Sequence, residues 1–180
     1  RFFGDLAKEN SNKARVAAYK NYKKIGKMLS ELGINYNCAP VLDLFFKGAH
    51  KVIGNRSFSR DPKVVTSLSR EACKGLISEG IVPIIKHIPG HGRSRIDSHL
   101  NLPEIKTKES KLKEDFYPFT KLNNMPIAMI AHIKYLSLDN DYCATFSNKI
   151  INIFIRKKIG FKGILLSDDL CMKALKGPYL

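Results

Sequence analysis

Long apolar runs are missing from this 180-residue sequence. No stretch approaches the roughly 18 consecutive apolar residues that a membrane-spanning helix needs, so we expect no transmembrane segment and no membrane partner. The first residues, which begin at Arg1 rather than at a methionine, also lack the charged and apolar regions of a signal peptide. Apolar residues nevertheless make up 44% of the chain. At the length of one ordinary domain, that fraction predicts a packed core.

Cysteine is scarce, and its four positions form no Cys-x-x-Cys pair. This dispersion does not fit the framework of a small disulfide-stapled protein or the ligand spacing of a zinc ribbon. We therefore predict reduced core cysteines in a reducing, cytoplasmic compartment. The four residues are Cys38, Cys73, Cys143 and Cys171.

Acidic residues are few beside basic ones, with 16 Asp and Glu against 31 Lys and Arg, for a formal net charge of +15. An excess of this kind occurs in many nucleic-acid-binding proteins. Here, however, 23 of the basic residues are lysines, they are spread along the predicted helices, and no DNA- or RNA-binding motif accompanies them. We interpret the charge as a solvated surface and expect no nucleic-acid partner.

Helical periodicity alternates with short, continuously apolar segments along the chain. Four helices with caps or breakers are predicted: residues 10–32, ended by Gly33; 61–80, begun by Asp61-Pro62; 110–122, interrupted by Pro118; and 147–158, capped by Ser147 and stopped at Gly160. Four strands are predicted at residues 36–42, 81–85, 126–131 and 163–166. Continuous apolar strands separated by helices predict parallel βα units.

Polar side chains follow each predicted strand, as they do at the active-site end of α/β barrels. A doubly wound sheet obeys a similar rule, but the sequence has no Gly-x-Gly-x-x-Gly loop of a dinucleotide-binding fold. Four strands are half of an eight-stranded barrel, which has about 250 residues, and the chain stops at Leu180 in the helix or loop after its last strand. The sequence therefore predicts an α/β fold, a partial TIM (β/α)8 barrel of parallel strands alternating with helices, in one domain of residues 1–180.

The long connection at residues 86–103 carries three of the five histidines and an Asp-Ser-His triplet. Asp97 and His99 are two positions apart, so the carboxylate could orient the imidazole and stabilise its protonated form. Two other interpretations of this segment stay open: a polar surface loop with incidental histidines, and a metal site. The possible metal ligands are His87, His91, Asp97 and His99, but their spacing matches no standard motif.

Adjacent carboxylates, Asp168 and Asp169, follow the last predicted strand. They could be metal ligands, a nucleophile with its neighbour, or a helix N-cap pair, and capping is the commonest role of such a pair before a helix. Two further strand-end residues have more modest interpretations. Asp43 is predicted to pair with a basic neighbour, and His132 either lines the pocket or is a satisfied core histidine.

Two segments together resemble glycoside hydrolase family 3: KHIPGHG…DSH, within residues 86–99, and LLSDDLCM, at residues 165–172. Three further segments match the family in the expected order: NCAPVLDL (37–44), VIGNRSFSRDP (52–62) and MIAHIKY (129–135). The β-glucosidase relatives usually carry Asp-Trp where Asp168-Asp169 stands and lack the Asp-x-His triplet. The sequence is therefore more similar to the bacterial β-N-acetylglucosaminidase branch, which acts in peptidoglycan recycling.

This resemblance implies an enzyme that releases terminal, non-reducing β-linked N-acetylglucosamine from a carbohydrate substrate, a peptidoglycan fragment (muropeptide), with no cofactor and no metal. It implies Asp168 as the nucleophile that forms a covalent glycosyl-enzyme, and His99 as the general acid/base, oriented by Asp97. It also implies three side chains that hydrogen-bond the sugar hydroxyls: Arg56, Lys86 and His87.

The family's upstream Asp-x-Glu-Gly-Gly segment and its last barrel strands have no counterpart in the chain. We therefore expect the central part of a catalytic barrel, without its N- and C-terminal units. The alternative is a catalytically inactive fragment that serves as a binding or assembly module.

Overall fold

Two parallel sheets organise the protein in the computed structural model, which describes residues 1–175. The strands are β1 (Tyr36–Asn37), β2 (Val82–Ile88), β3 (Glu104–Ile105), β4 (Ile127–Ile130), β5 (Lys134–Tyr135) and β6 (Ile164–Ser167). The larger sheet has the order β1-β2-β4-β6, and all its neighbouring pairs are parallel, while β3 pairs with β5. The predicted position of Leu180 in the segment after β6 lies outside the described residues.

Two helices precede β1, and three more connect the strands of the larger sheet. They are α1 (Phe2–Glu9), α2 (Ser11–Glu31), α3 (Pro62–Ile77), α4 (Glu109–Lys121) and a π-helix, Ile150–Ile159. This alternation of parallel strands and helices confirms the predicted α/β fold, a partial TIM barrel. None of the helices within residues 1–175 is long and apolar enough to cross a lipid bilayer.

The helix ends follow the capping signals of the sequence. The side-chain oxygens of Asn10, Asp61 and Ser147 each accept a hydrogen bond from a backbone N–H of the first turn that follows. At the other ends, Gly33 and Gly160 have φ of +76° and +77°, a left-handed conformation that glycine adopts without a steric penalty. The predicted starts and stops of α2 and the π-helix are thus confirmed, as is the start of α3.

The structure differs from the predicted elements at two prolines, Pro40 and Pro118. The strand expected over residues 36–42 pairs at Tyr36–Asn37 and contacts β2 again at Val41, because Pro40 has no N–H to give to the ladder. The predicted interruption at Pro118 is wrong, since α4 continues through it to Lys121. Pro118 lies in the penultimate turn and is itself buried, so packing offsets the one hydrogen bond that it removes.

The cysteines only partly match the prediction of core residues. All four are free thiols, and Cys73 and Cys143 are buried. Cys38 is half-buried and Cys171 is exposed, because they lie in the loops after β1 and β6 rather than on core-facing elements.

Small residues set the distance between α2 and α3. The buried positions of α2 are Ala14, Ala18 and Gly26, whereas the larger apolar residues Val16 and Met28 of the same helix are exposed. On α3, Gly75 lies so close to α2 that an added Cβ would stand 2.5 Å from the Tyr19 carbonyl oxygen. The backbones therefore meet with no side chain between them at this point.

This close approach predicts that Gly75→Ala destabilises the fold. Relieving the clash should cost about 1–3 kcal/mol, which exceeds the gain of up to about 1 kcal/mol in helix propensity. Gly26→Ala is the matched control, because its Cβ would lie 3.1 Å from the Glu79 side chain and 3.4 Å from the nearest backbone atom, the Leu76 Cα. Urea denaturation should show a clear loss for Gly75→Ala and a smaller change for Gly26→Ala. The reverse order would contradict the packing argument.

Candidate active site

A buried carboxylate lies at the centre of the strand-end cluster. Asp43 accepts a hydrogen bond from the backbone N–H of His91 at 2.6 Å and lies 2.6 Å from the His87 Nδ1 atom. The His87 N–H approaches both carboxylate oxygens at 3.3 Å. Burial alone would raise the pKa of Asp43, but the His87 imidazole and the hydrogen bonds from His87 and His91 outweigh it and lower the pKa. The predicted pairing of Asp43 with a basic neighbour is therefore confirmed.

This carboxylate determines how the His87 ring is oriented. An ionised carboxylate only accepts hydrogen bonds, so Nδ1 of His87 carries the hydrogen and donates it to Asp43. Nε2 is then the ring atom left for a ligand, and in the neutral ring it is an acceptor. His87 is buried, which leaves no freedom for its ring to turn away from this arrangement.

Lys86 interacts electrostatically with charged side chains from other loops. Its side chain is half-buried, and burial together with the neighbouring Arg56 guanidinium lowers its pKa, while Cys38, Asp168 and Asp43 act in the opposite direction. Arg56, Lys86 and Asp168 thus interact within one cluster. Arg56 itself is exposed and donates a hydrogen bond to the Val52 carbonyl oxygen at 3.0 Å.

The two adjacent aspartates have different surroundings. Asp168 is half-buried, and its charge acts on Lys86, His91 and His132. Asp169 is exposed and uses its Oδ1 atom to accept the Cys171 N–H at 2.8 Å. Asp169 therefore caps the turn that follows β6, rather than the start of a helix, while the charge of Asp168 acts on the cluster.

His132 holds the backbone of this aspartate pair in place. Its Nδ1 lies 2.6 Å from Thr145 Oγ1 and its Nε2 lies 3.1 Å from the Asp169 carbonyl oxygen. Burial lowers the pKa of His132 despite the Asp169 carbonyl and the nearby carboxylates. Of the two interpretations offered by the sequence, the satisfied buried histidine is the one observed, with a partner in the aspartate segment.

The loop between β2 and β3 presents Asp97 and His99 as a hydrogen-bonded pair. His99 Nδ1 lies 2.7 Å from Asp97 Oδ1, and the His99 N–H donates to the same oxygen at 2.9 Å. Burial acts to raise the pKa of Asp97, but the hydrogen bonds from His99 outweigh it and the pKa is lowered. The His99 side chain is 61% exposed, so its free edge is accessible to a ligand.

The loop that carries this pair also contacts the segment after Asp168. The Lys173 N–H donates to the His99 carbonyl oxygen and the Ala174 N–H donates to the Ser98 carbonyl oxygen, each at 3.3 Å. The Asp97–His99 pair and the carboxylate-bearing segment therefore share one side of the sheet.

The chain is similar to known proteins over nearly its whole length. Residues 5–179 match the family model described as glycosyl hydrolase family 3 N terminal domain. The chain belongs to glycosyl hydrolase family 3.

Similar family 3 proteins include a beta-hexosaminidase from Neisseria meningitidis serogroup B, 39% identical over 173 residues, covering 94% of this chain and 47% of the relative. Beta-hexosaminidase A of Pseudoalteromonas piscicida is 35% identical, covering 89% of this chain and 29% of the relative. Among solved structures, NagZ from Neisseria gonorrhoeae in complex with N-trifluoroacetyl-D-glucosamine has a TM-score of 0.88 and 38% identity. That match covers 94% of this chain and 50% of NagZ, so the chain spans half or less of the length of these relatives.

The histidines of this family 3 chain are engaged with protein groups. The four possible metal ligands pair instead with one another or with Asp43 and Ser98. Within residues 1–175, no three His, Cys, Asp or Glu side chains are grouped to hold a metal ion.

Sequence reasoning missed the roles of His91 and Ser98. His91 is buried between Asp43, which accepts its N–H, and Ser98, whose Oγ lies 3.1 Å from its Nε2. The only sequence signal was its place between Gly90 and Gly92. Gly92 has no space for a side chain, because a Cβ there would stand 2.0 Å from the Leu44 carbonyl oxygen.

The buried His91 predicts a particular dependence of stability on pH. Burial lowers the pKa of His91 to about 4, from an ordinary value of 6.5. Between these values the unfolded chain binds a proton that the folded chain does not, so this contribution is present above pH 6.5 and is lost as pH falls towards 4. The loss amounts to about 3 kcal/mol.

His91→Gln should remove this contribution. Urea denaturation of both proteins from pH 7.5 to 4.5 should show the stability of the wild type falling more steeply than that of the variant. Values at pH 7.5, where almost all His91 is neutral in both states, provide the baseline. A difference between the two proteins that stays constant over the whole range would contradict the buried neutral imidazole.

Proposed function

We propose that this chain is the central part, residues 1–180, of the catalytic barrel of a β-N-acetylhexosaminidase. The enzyme would release terminal, non-reducing β-linked N-acetylglucosamine by a retaining, two-step mechanism. The observation that carries this proposal is the contact between the loop of the Asp97–His99 pair and the segment after Asp168. It supports a nucleophile and a proton donor that act on one substrate.

In the first step, a carboxylate oxygen of Asp168 would form a bond to the anomeric carbon while the bond to the leaving oxygen breaks. Protonated His99 would give its Nε2 proton to that oxygen, with Asp97 stabilising the imidazolium through Nδ1. In the second step, water would attack the anomeric carbon and release Asp168, giving a proton back to His99. A histidine thus takes the place of the second carboxylate usual in retaining enzymes.

The sugar would be held by Arg56, Lys86 and His87. Arg56 and Lys86 are donors only, whereas the His87 ring, whose Nδ1 hydrogen goes to Asp43, presents its Nε2 atom to the sugar, and Nε2 accepts when the imidazole is neutral. A hydroxyl both donates and accepts, so this mixed set is suited to a hydroxyl-rich pyranose ring. The complex of NagZ with N-trifluoroacetyl-D-glucosamine supports an N-acylated glucosamine as the bound sugar.

We further propose a muropeptide as the physiological substrate, in peptidoglycan recycling in the cytoplasm. The support is the similarity to beta-hexosaminidases and NagZ, together with the Asp-Ser-His triplet at residues 97–99.

An inactive assembly module is the second candidate, and the edge of the sheet favours it. β6 exposes Ile164 to 65% and Leu166 to 39%, although edge strands of complete proteins are usually shielded. Further barrel strands on this edge would complete the site. Without them the chain would retain its cluster of site residues but lack part of the sugar pocket.

The test is release of the chromophore from an aryl N-acetyl-β-glucosaminide. We expect Asp168→Ala to abolish release, because it removes the carboxylate that would form the glycosyl-enzyme. Asp169→Asn is the matched control: it keeps an oxygen that can accept the Cys171 N–H, and it should retain activity. Equal activity of Asp168→Ala and wild type would contradict the nucleophile assignment. Absence of release from the wild-type chain would favour the assembly module.

A further inference from the structure

Ser98, the middle residue of the Asp-Ser-His triplet, is the one whose side chain contacts the rest of the protein through a buried hydrogen bond. Ser98 is only 3% exposed, although His99 beside it is largely exposed. Its hydroxyl oxygen lies 3.1 Å from the Nε2 atom of His91. This buried hydroxyl lies between Asp97 and His99 in the chain, and its hydrogen-bond partner is His91 rather than either of them.

His91 is itself held rigidly. Its N–H donates to the Asp43 carboxylate at 2.6 Å, its ring lies 5.4 Å from that of His87, and it is buried. Among the described residues its Nδ1 atom has no hydrogen-bond partner. An unpartnered buried N–H costs more than an unpartnered lone pair, so the hydrogen is best placed on Nε2, which donates it to Ser98.

The opposite side of the triplet is held by backbone contacts alone. The N–H groups of Lys173 and Ala174 reach the carbonyl oxygens of His99 and Ser98 at 3.3 Å, which is at the long end for such bonds. Residues 89–103 contain no helix or strand, so the loop has no ladder of its own hydrogen bonds to fix it. The single buried side-chain contact therefore matters more than it would within a regular element.

We propose that Ser98 is a positioning residue for the general acid/base, and that its hydrogen bond to His91 sets the place of His99 relative to the segment that carries Asp168. This inference rests on the proposed function. The path runs from the buried Asp43 carboxylate through His91 to Ser98, and so connects the sugar-binding end of β2 to the proton donor. Ser98 acts on the reaction only through His99.

Loss of the Ser98–His91 hydrogen bond should slow only those steps of the reaction in which His99 transfers a proton. Glycosides with poor leaving groups need His99 to protonate the departing oxygen, whereas dinitrophenolate departs without protonation. A misplaced His99 therefore slows the hydrolysis of glycosides with poor leaving groups and leaves that of the dinitrophenyl glycoside nearly unchanged. In Ser98→Ala, kcat/KM for a phenyl N-acetyl-β-glucosaminide should fall at least about tenfold, and kcat/KM for the dinitrophenyl glycoside should stay within about twofold.

Hydrogen exchange gives a second readout that needs no turnover. In the protein without ligand, the amides of residues 94–101 should exchange faster in Ser98→Ala than in the wild type, by roughly the factor that loss of one net hydrogen bond produces, about fivefold or more. Ser98→Thr keeps the hydroxyl and should restore both the exchange rate and the phenyl-glycoside activity. Ser69→Ala is the control and should change neither, because it removes a buried hydroxyl on α3 that has no hydrogen-bond partner within residues 1–175.

The proposal would be overturned if the amides of residues 94–101 exchanged at the same rate in Ser98→Ala as in the wild type. An equal loss of kcat/KM for both glycosides would also overturn it. Failure of the proposed function has a different signature. If Asp168→Ala keeps full activity, or the wild type has none, that function fails while the exchange measurement still decides whether Ser98 fastens the triplet.

Discussion

The buried carboxylate of Asp43 is the constraint on which the candidate site depends. It accepts hydrogen bonds from the His87 ring and from the backbones of His87 and His91. In doing so it determines which ring atom His87 presents to its surroundings, and it fixes the backbone of His91. Loss of one partner of a buried pair typically costs about 3–5 kcal/mol, because the other charge is left uncompensated. Stability and ligand recognition are therefore coupled at this residue. The parallel sheet makes the coupling possible, since it brings the segment after β1 and the end of β2 to the same side.

The loop after β2 is attached to the protein in two distinct ways. Arg93 donates to the buried Asp115 at 2.7 Å and stacks over the Phe46 ring at 4.1 Å, so the start of the loop is fixed to α4. Further along, the Ser98 hydroxyl contacts His91, and the carbonyl oxygens of Ser98 and His99 accept the N–H groups of Ala174 and Lys173. The first attachment belongs to the scaffold and the second to the site. A loop with few contacts can move more readily than the sheet that bears it, which suits a group that must approach and leave a substrate.

Local signals in the sequence predicted most of the fold. Asn10, Asp61 and Ser147 cap helices, and Gly33 and Gly160 end them, because each acts on its own chain neighbours. The pairing of Asp97 with His99 is also a local contact. What could not be predicted depends on residues far apart in the chain, such as the 44 positions between Asp43 and His87. Pro118 was misjudged for the same reason, since the packing that offsets its missing N–H comes from other elements. The π-helical geometry of residues 150–159 and the short strands β3 and β5 have no local signal in the sequence.

The central claim is that Asp168 is the carboxylate that reacts with the sugar. The most direct measurement is mass spectrometry of the protein after incubation with a 5-fluoro N-acetylglucosaminyl fluoride, a slow substrate that accumulates the covalent glycosyl-enzyme. We expect one sugar per chain, located by peptide fragmentation on Asp168 and not on its neighbour. A label on Asp169 or on another residue, or turnover of the reagent with no covalent species, would contradict the account.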